Sequence, residues 1–116
     1  MKKWLILFLL IPALAYGFSD RYMETATSIS SSQTVTTAQA YFYGAVINTD
    51  GANSVTVRIN DGNATTGPVV WPTSQFAATP ITQAISADPP VYCYTNINVT
   101  ADSAGSYTIT IYKREQ

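Results

Sequence analysis

The sequence predicts a small all-β domain, an antiparallel β-sandwich or jelly roll of about seven to eight strands. Apolar and polar residues alternate in three segments, Ser54 to Asn60, Val91 to Val99 and Tyr107 to Lys113. β-branched and aromatic residues dominate these segments, as is typical of half-buried strands. Gly, Pro, Asp and Asn recur between them at short intervals, and no window beyond the N-terminal residues has a helical period.

The N-terminal residues have the anatomy of a secretory signal peptide. Lys2 and Lys3 give a basic start, Trp4 to Leu10 is wholly apolar, and Ala13-Leu14-Ala15 provides a small-x-small cleavage site. A bilayer-spanning helix needs about 20 apolar residues, more than this run supplies. We therefore expect residues 1–17 to be a signal peptide, with an uncleaved N-terminal anchor as the alternative.

The leader predicts an exported protein, extracellular, cell-surface or virion-associated, that meets the membrane only through the leader during export. Residues 18–40 are rich in Ser and Thr. They form either an N-terminal arm that pairs with a neighbouring subunit or the first strand of the chain's own sandwich. Residues 41–116 form the β-sandwich body, which has the size of one domain with one core.

The other strands follow in chain order. Tyr41 to Asn48 is the most continuously apolar segment, which predicts a central strand covered on both faces. Weaker strand signals lie on either side of it, at Tyr22–Ile29, Thr34–Thr37, Val69–Trp71 and Ile81–Ile85. Together with the three alternating segments, they complete the expected set of strands.

Turn residues separate these strands. Asn48 to Asn53, Asp61-Gly62-Asn63 and Asp102 to Gly105 predict three short hairpins. Trp71-Pro72 is expected to end a strand, and Asp88-Pro89-Pro90 to precede the next one. An aspartate that lies beside Gly, Pro or Ser commonly caps a turn through its own side chain, so we assign that role to the aspartates of these turns.

Charge and composition exclude some partners. Without Lys2 and Lys3, four basic residues face seven acidic ones, which gives a net charge of −3. Nucleic-acid binding needs clustered Lys and Arg, and this sequence has none. Only 11% of the residues are charged, which weakens the self-repulsion that keeps freely diffusing monomers apart.

The sequence lacks the residues for common catalytic chemistry. Histidine, the commonest general base and metal ligand, is absent. A glycosidase needs only two carboxylates, but turn formation explains the aspartates better. Neither Asn48 to Asn53 nor Asp61 to Asn63 has the full oxygen ligand set that calcium requires. We expect no catalytic residues, no metal and no cofactor.

Cys93 is the only cysteine, so an intramolecular disulfide cannot form. Alternation places it with Val91, Ile97 and Val99 on one face of its segment. We expect a buried thiol that packs as a small apolar side chain, with a disulfide-linked dimer as the alternative.

Three aromatic residues are the candidate binding residues. Tyr92 and Tyr94 lie on the face opposite Cys93, and Trp71 precedes a proline. If that face is exposed, the tyrosines can stack on sugar rings or anchor a protein interface. The alternative is that they pack against a second sheet or against Tyr41 and Tyr43 of a neighbouring strand.

The order of several segments resembles small single-domain β-sandwich proteins of tailed bacteriophages, the virion, head-fibre or decoration-like components. The segments are Tyr43 to Gly51, Val55 to Asp61, Asp88 to Cys93 and Tyr107 to Tyr112. The resemblance implies a non-enzymatic role in a multi-copy particle and carries over no binding residue. Phage proteins that assemble in the cytoplasm lack an export signal, so the leader departs from this pattern. It favours an exported host protein, a surface filament subunit, or a virus whose assembly involves the membrane.

These observations predict a non-catalytic exported structural protein, a multi-copy subunit of an extracellular surface, filament or virion structure. Its partners are then further copies or neighbouring subunits. The alternative is a secreted carbohydrate- or receptor-binding module that uses Tyr92, Tyr94 or Trp71 to contact surface glycans.

Overall fold

A computed structural model describes residues 24–115, and the predicted signal peptide lies outside the described residues. These residues form eight β-strands and no helix, and therefore nothing among them that could cross a bilayer as a helix. The strands are β1 (Thr25–Ile29), β2 (Gln33–Thr34), β3 (Ala40–Asn48), β4 (Val55–Asp61), β5 (Val69–Phe76), β6 (Thr82–Cys93), β7 (Ile97–Ser103) and β8 (Thr108–Glu115).

The strands form two four-stranded antiparallel sheets, in the orders β1-β8-β3-β6 and β2-β7-β4-β5. Strands at matching distances from the chain ends pair with each other: β1 with β8, β2 with β7, β3 with β6, and β4 with β5. The chain is therefore one long hairpin, and the β3–β8 and β4–β7 pairings roll it upon itself. This arrangement is a jelly roll, which confirms the predicted fold class.

The core lies between the sheets, where the apolar residues of each alternating strand meet. Predicted inward residues of β4 and β8, such as Val55, Val57, Ile109 and Ile111, are completely buried. Residues buried in the core are Ile29, Ala40, Phe42, Ala45, Ile47, Val55, Val57, Ile59, Ile85, Cys93, Ile97, Val99, Ile109 and Ile111.

Strand β3 is central, as predicted, but only one of its faces is fully covered. Phe42 and Ile47 are buried, whereas Tyr41, Tyr43 and Val46 on the other face are half-buried. The aromatic rings make this strand look apolar throughout, although tyrosine can lie at an exposed surface because its hydroxyl stays hydrated.

Two predicted hairpins are wrong. Residues 48–53 carry the chain from β3 in one sheet to β4 in the other, and residues 103–107 carry it from β7 to β8. Turn residues indicate a local change of direction, but they do not decide which sheet receives the next strand. The Asp61-Gly62-Asn63 turn does begin a hairpin, because β4 and β5 pair in one sheet.

The predicted strand Val91 to Val99 is also wrong, because it is two strands in different sheets. The chain leaves β6 at Cys93, bends, and starts β7 at Ile97. Cys93 before the bend and Ile97 after it are both buried, so the sequence pattern hides the bend. The Asp61 carboxylate stabilises it by accepting hydrogen bonds from three consecutive backbone amides, those of residues 94–96.

The two proline segments lie within strands rather than between them. Pro72 lies inside β5, an edge strand, where a missing amide donor is tolerated. Asp88-Pro89-Pro90 lies inside β6, which also contains residues 82–85 of the predicted strand Ile81–Ile85. Residues 87–90 do not pair with β3, but pairing resumes at Val91. The prolines therefore interrupt the ladder without ending the strand.

At the N-terminal side, Thr25–Ile29 forms a strand of the chain's own sandwich, because β1 pairs with β8. The next predicted strand, Thr34–Thr37, is displaced: β2 is Gln33–Thr34, which pairs with β7. Thr36 is buried nearby, and its hydroxyl accepts a hydrogen bond from the Ile97 amide at 2.9 Å.

Candidate functional site

The outer face of the β1-β8-β3-β6 sheet carries a row of aromatic side chains, which we call the tyrosine strip: Tyr41, Tyr92 and Tyr94. The ring centroids of Tyr41 and Tyr92 are 4.9 Å apart, and those of Tyr92 and Tyr94 are 4.6 Å apart. The second pair is edge to face, with an angle of 88° between the ring planes. Such contacts fix the rings relative to one another.

The ladder of β8, β3 and β6 positions this strip. Tyr41 lies opposite both Arg114 and Tyr92, and the Arg114 guanidinium stands 4.6 Å from the centre of the Tyr41 ring. The Tyr92 hydroxyl donates a hydrogen bond to Gln39 Oε1 at 2.7 Å. Desolvation raises the pKa of Tyr92, and the neighbouring Tyr41 and Tyr94 add to this effect. Tyr94 is 71% exposed at the end of the strip.

Two sequence-predicted site residues therefore lie together. Tyr92 and Tyr94 are on the outer face, and Tyr92 packs against Tyr41 as the packing alternative predicted. That packing does not cover Tyr94, so one end of the strip is exposed. The structure thus combines the two alternatives: the tyrosines pack on each other, and they do so at the surface.

Trp71 is not part of this arrangement. It lies in β5, an edge strand of the other sheet, where it is half-buried against the core. Its indole Nε1 donates a hydrogen bond to Ser74 Oγ at 3.1 Å. The ring therefore serves packing within the domain, and it does not adjoin Tyr92 or Tyr94.

A groove of about 420 Å³ opens on the same outer face as the strip, and we call it the bulge groove. Its lining includes Glu24, Tyr43, Gly44, Ser86, Asp88 and Tyr112. The alternation in the last strand segment predicts Tyr112 on the face opposite Ile109 and Ile111. No sequence pattern connects Tyr112 with Tyr43, Glu24 or Asp88.

An irregularity in strand pairing creates the groove. Phe42 pairs with Val91 and Gly44 pairs with Ser86, so four residues of β6 lie opposite one residue of β3. The extra residues form one wall. Such bulges bend a strand and change the direction of its side chains. No local sequence signal fixes where β6 resumes its pairing, which is why the groove could not be predicted.

Gly44 is required where the two strands approach each other at the groove. Its φ is +149°, and a Cβ there would collide with the backbone oxygen of Ile85. A glycine with positive φ inside a strand marks a bulge or a close backbone approach. The sequence contains this signal as the only glycine in the apolar segment Tyr41 to Asn48.

The four predicted turn aspartates differ in role. Asp50 accepts hydrogen bonds from Asn53 and from the Ala52 amide, which hold the pKa of Asp50 below its usual value. Asp61 holds the bend between β6 and β7. Asp88 and Asp102 lie in strands, and neither caps a turn within the described residues.

Cys93 is buried, as predicted. Desolvation raises the pKa of its thiol to about 12, with a smaller contribution from Asp61. The thiolate, which is the reactive form, is therefore scarce at neutral pH. Within residues 24–115, no three His, Cys, Asp or Glu side chains are grouped so that they could hold a metal ion.

Comparison with known proteins adds no family assignment. The sequence matches no protein-family model, and no curated protein matches it significantly. The resemblance to phage virion proteins gains no support from these comparisons and stays an expectation.

Proposed function

We propose that this protein is a non-catalytic exported structural protein, a multi-copy subunit of an extracellular surface, filament or virion structure. The observation that carries the proposal is the tyrosine strip on an outer face of the sandwich. Aromatic side chains at a surface are characteristic anchors of protein–protein interfaces. The strip is the part of the described surface best suited to hold a neighbouring subunit.

Rigidity and composition support this role. Tyr92 is held between Tyr41 and Tyr94 and is hydrogen-bonded to Gln39, so little side-chain entropy remains to be lost on binding. The scarcity of charged residues also favours close packing of copies over mutual repulsion.

Sedimentation velocity of the processed protein from micromolar to millimolar concentration tests the proposal. We expect association that rises with concentration and that Tyr94→Ala weakens strongly. Thr100→Ala is the matched control, because Thr100 is also exposed but lies in β7 of the other sheet. A protein that stays monomeric throughout, and is absent from isolated particles or filaments, would contradict the proposal.

A carbohydrate- or receptor-binding module is the second candidate, and the open end of the strip favours it. The exposed Tyr94 ring can stack on the apolar face of a sugar, while Gln39 and Tyr92 offer polar groups beside it. We expect a glycan array to detect binding that Tyr92→Ala and Tyr94→Ala abolish. Silence on the array, or unchanged binding by both variants, would remove this candidate.

The proposed export has its own test. The N-terminal sequence of the protein recovered outside the cytoplasm should begin shortly after residue 15 if the leader is cleaved. Recovery of the intact N-terminus from the cytoplasm alone would contradict export.

A further inference from the structure

We propose that the bulge groove binds an organic cation, a ligand that carries an ammonium group. The groove is a different place on the sheet from the tyrosine strip, and the inference does not depend on the proposed assembly. It is carried by charge, by aromatic rings and by the fixed shape of the groove.

Charge favours a cation. Glu24 and Asp88 are exposed at the groove, and neither makes a hydrogen bond or an ion pair with any residue in the range 24–115. The groove lining contains no Lys or Arg from the described part of the chain. Asp50 and Asp61, by contrast, have their oxygens occupied by amides. Two carboxylates with no cationic neighbour among residues 24–115 attract a positive ligand and repel an anion.

Aromatic rings favour the same class of ligand. Tyr43 and Tyr112 both line the groove, on the neighbouring strands β3 and β8, and Tyr112 is 39% exposed. The face of a tyrosine ring attracts ammonium groups, and several rings together form the cages that bind quaternary ammonium ligands. The hydroxyls of these residues and of Ser86 are the main side-chain polar groups beside the carboxylates.

The groove is formed before a ligand arrives. Its floor is the β3–β6 ladder at Gly44, and Pro90 restricts the backbone of the wall. Binding to a preformed site loses little free energy to the ordering of side chains and loops. A volume of about 420 Å³ is sufficient for a short amine or a single lysine side chain.

Titration of the ¹⁵N-labelled protein with cadaverine, followed by NMR, tests the proposal. Pentanediol is the matched neutral ligand, because hydroxyls replace both amines on the same carbon chain. We expect cadaverine to shift the amides of Gly44, Ser86 and Tyr112 at millimolar concentration, and added salt to weaken binding. Pentanediol should leave these amides unchanged. Equal shifts with both ligands, or none with cadaverine, would overturn the proposal.

Variants sharpen the test. Asp88→Asn should weaken cadaverine binding about threefold, the effect of one exposed ion pair. Its control is Asp102→Asn, which removes an exposed carboxylate in the other sheet and should leave binding unchanged. Tyr112→Ala should weaken binding by a similar factor, whereas Tyr94→Ala, outside the groove, should not. Equal effects of Asp88→Asn and Asp102→Asn would overturn the site.

A second titration distinguishes the source of the ammonium group. A short glycine peptide with one central lysine is compared with the same peptide acetylated on the lysine side chain. Binding of the unmodified peptide alone indicates the basic side chain of a partner protein. Binding of cadaverine without the peptide indicates a free amine. Equal binding of both peptides would contradict recognition of charge.

Discussion

Both outer faces of the jelly roll are formed by strands in which apolar and polar residues alternate, but the two faces differ in chemistry. The face of the β1-β8-β3-β6 sheet carries the tyrosine strip, Arg114 and the bulge groove. At the corresponding positions of β4 and β7, the face of the other sheet carries Thr56, Arg58, Thr100 and Asp102. One face is suited to aromatic and cationic contacts, and the other is an ordinary polar surface.

One part of this difference, the bulge groove, arises from a departure from regular strand pairing. The second face has a regular β4–β7 ladder of seven consecutive pairs, and its register shifts lie at the edge, in the β4–β5 ladder. The first face interrupts its ladder at Gly44, and the interruption produces a groove with a carboxylate on its wall.

The largest expected effect concerns Gly44, on which the first face depends. Gly44→Ala should lower the free energy of unfolding by about 4 kcal/mol, from positive φ together with collision against β6. Urea unfolding measures this loss. Gly62→Ala in the β4–β5 hairpin is the control, because its φ is +89° but the nearest atom lies at 3.8 Å. Equal losses in both variants would show that the close approach is unimportant.

Asp61 gives the next largest effect, and it tests the bend through which the chain leaves the first sheet for the second. Asp61→Ala leaves three amides of residues 94–96 without their acceptor and should cost about 3 kcal/mol of stability. Asp88→Asn should change the free energy of unfolding by less than about 0.5 kcal/mol. Thermal unfolding of both variants makes the comparison, and similar losses would contradict the separate roles assigned here.

Features that neighbouring residues decide could be predicted from the sequence, whereas features that depend on contacts between distant residues could not. Alternation identified the inward residues of β4 and β8 and the outward position of Tyr92. It missed the bend at Tyr94 because Cys93 and Ile97 are buried on both sides of it. The contacts that decide these features join distant parts of the chain, as when Asp61 caps residues 94–96. No local pattern specifies such a contact.

Prediction of the bulge groove failed for the same reason. Tyr43, Asp88 and Tyr112 are separated by long stretches of chain, and only the strand pairing brings them together. The sequence alone marked Asp88 as a turn residue because prolines follow it. The irregular β3–β6 register, which makes it a groove residue, depends on Gly44 in another strand.

A smaller effect on stability is expected from the buried face of β6, where Cys93 lies. Burial raises the pKa of Cys93 to about 12, so the unfolded chain loses this proton at lower pH than the native protein. This contribution to stability is complete below the unfolded pKa of about 9, and it decreases as pH rises from there toward 12. Urea unfolding of the native protein and of Cys93→Ala across this range measures it. An identical alkaline loss in the variant would contradict the assignment.

A small effect on stability is also expected for Tyr94→Ala. Because Tyr94 is 71% exposed, its truncation should change the free energy of unfolding by less than about 1 kcal/mol. The same variant should weaken association strongly. Thermal unfolding and sedimentation of one sample separate these effects, and a large loss of stability would assign Tyr94 to the fold instead.

The most direct test of the central claim is to map amide chemical shifts as the concentration of the processed protein increases. If the first face is the contact surface, the amides of Tyr41, Tyr92 and Tyr94 should shift, while those of Thr56 and Thr100 stay constant. Shifts confined to the second face, or no shifts at any concentration, would contradict the account.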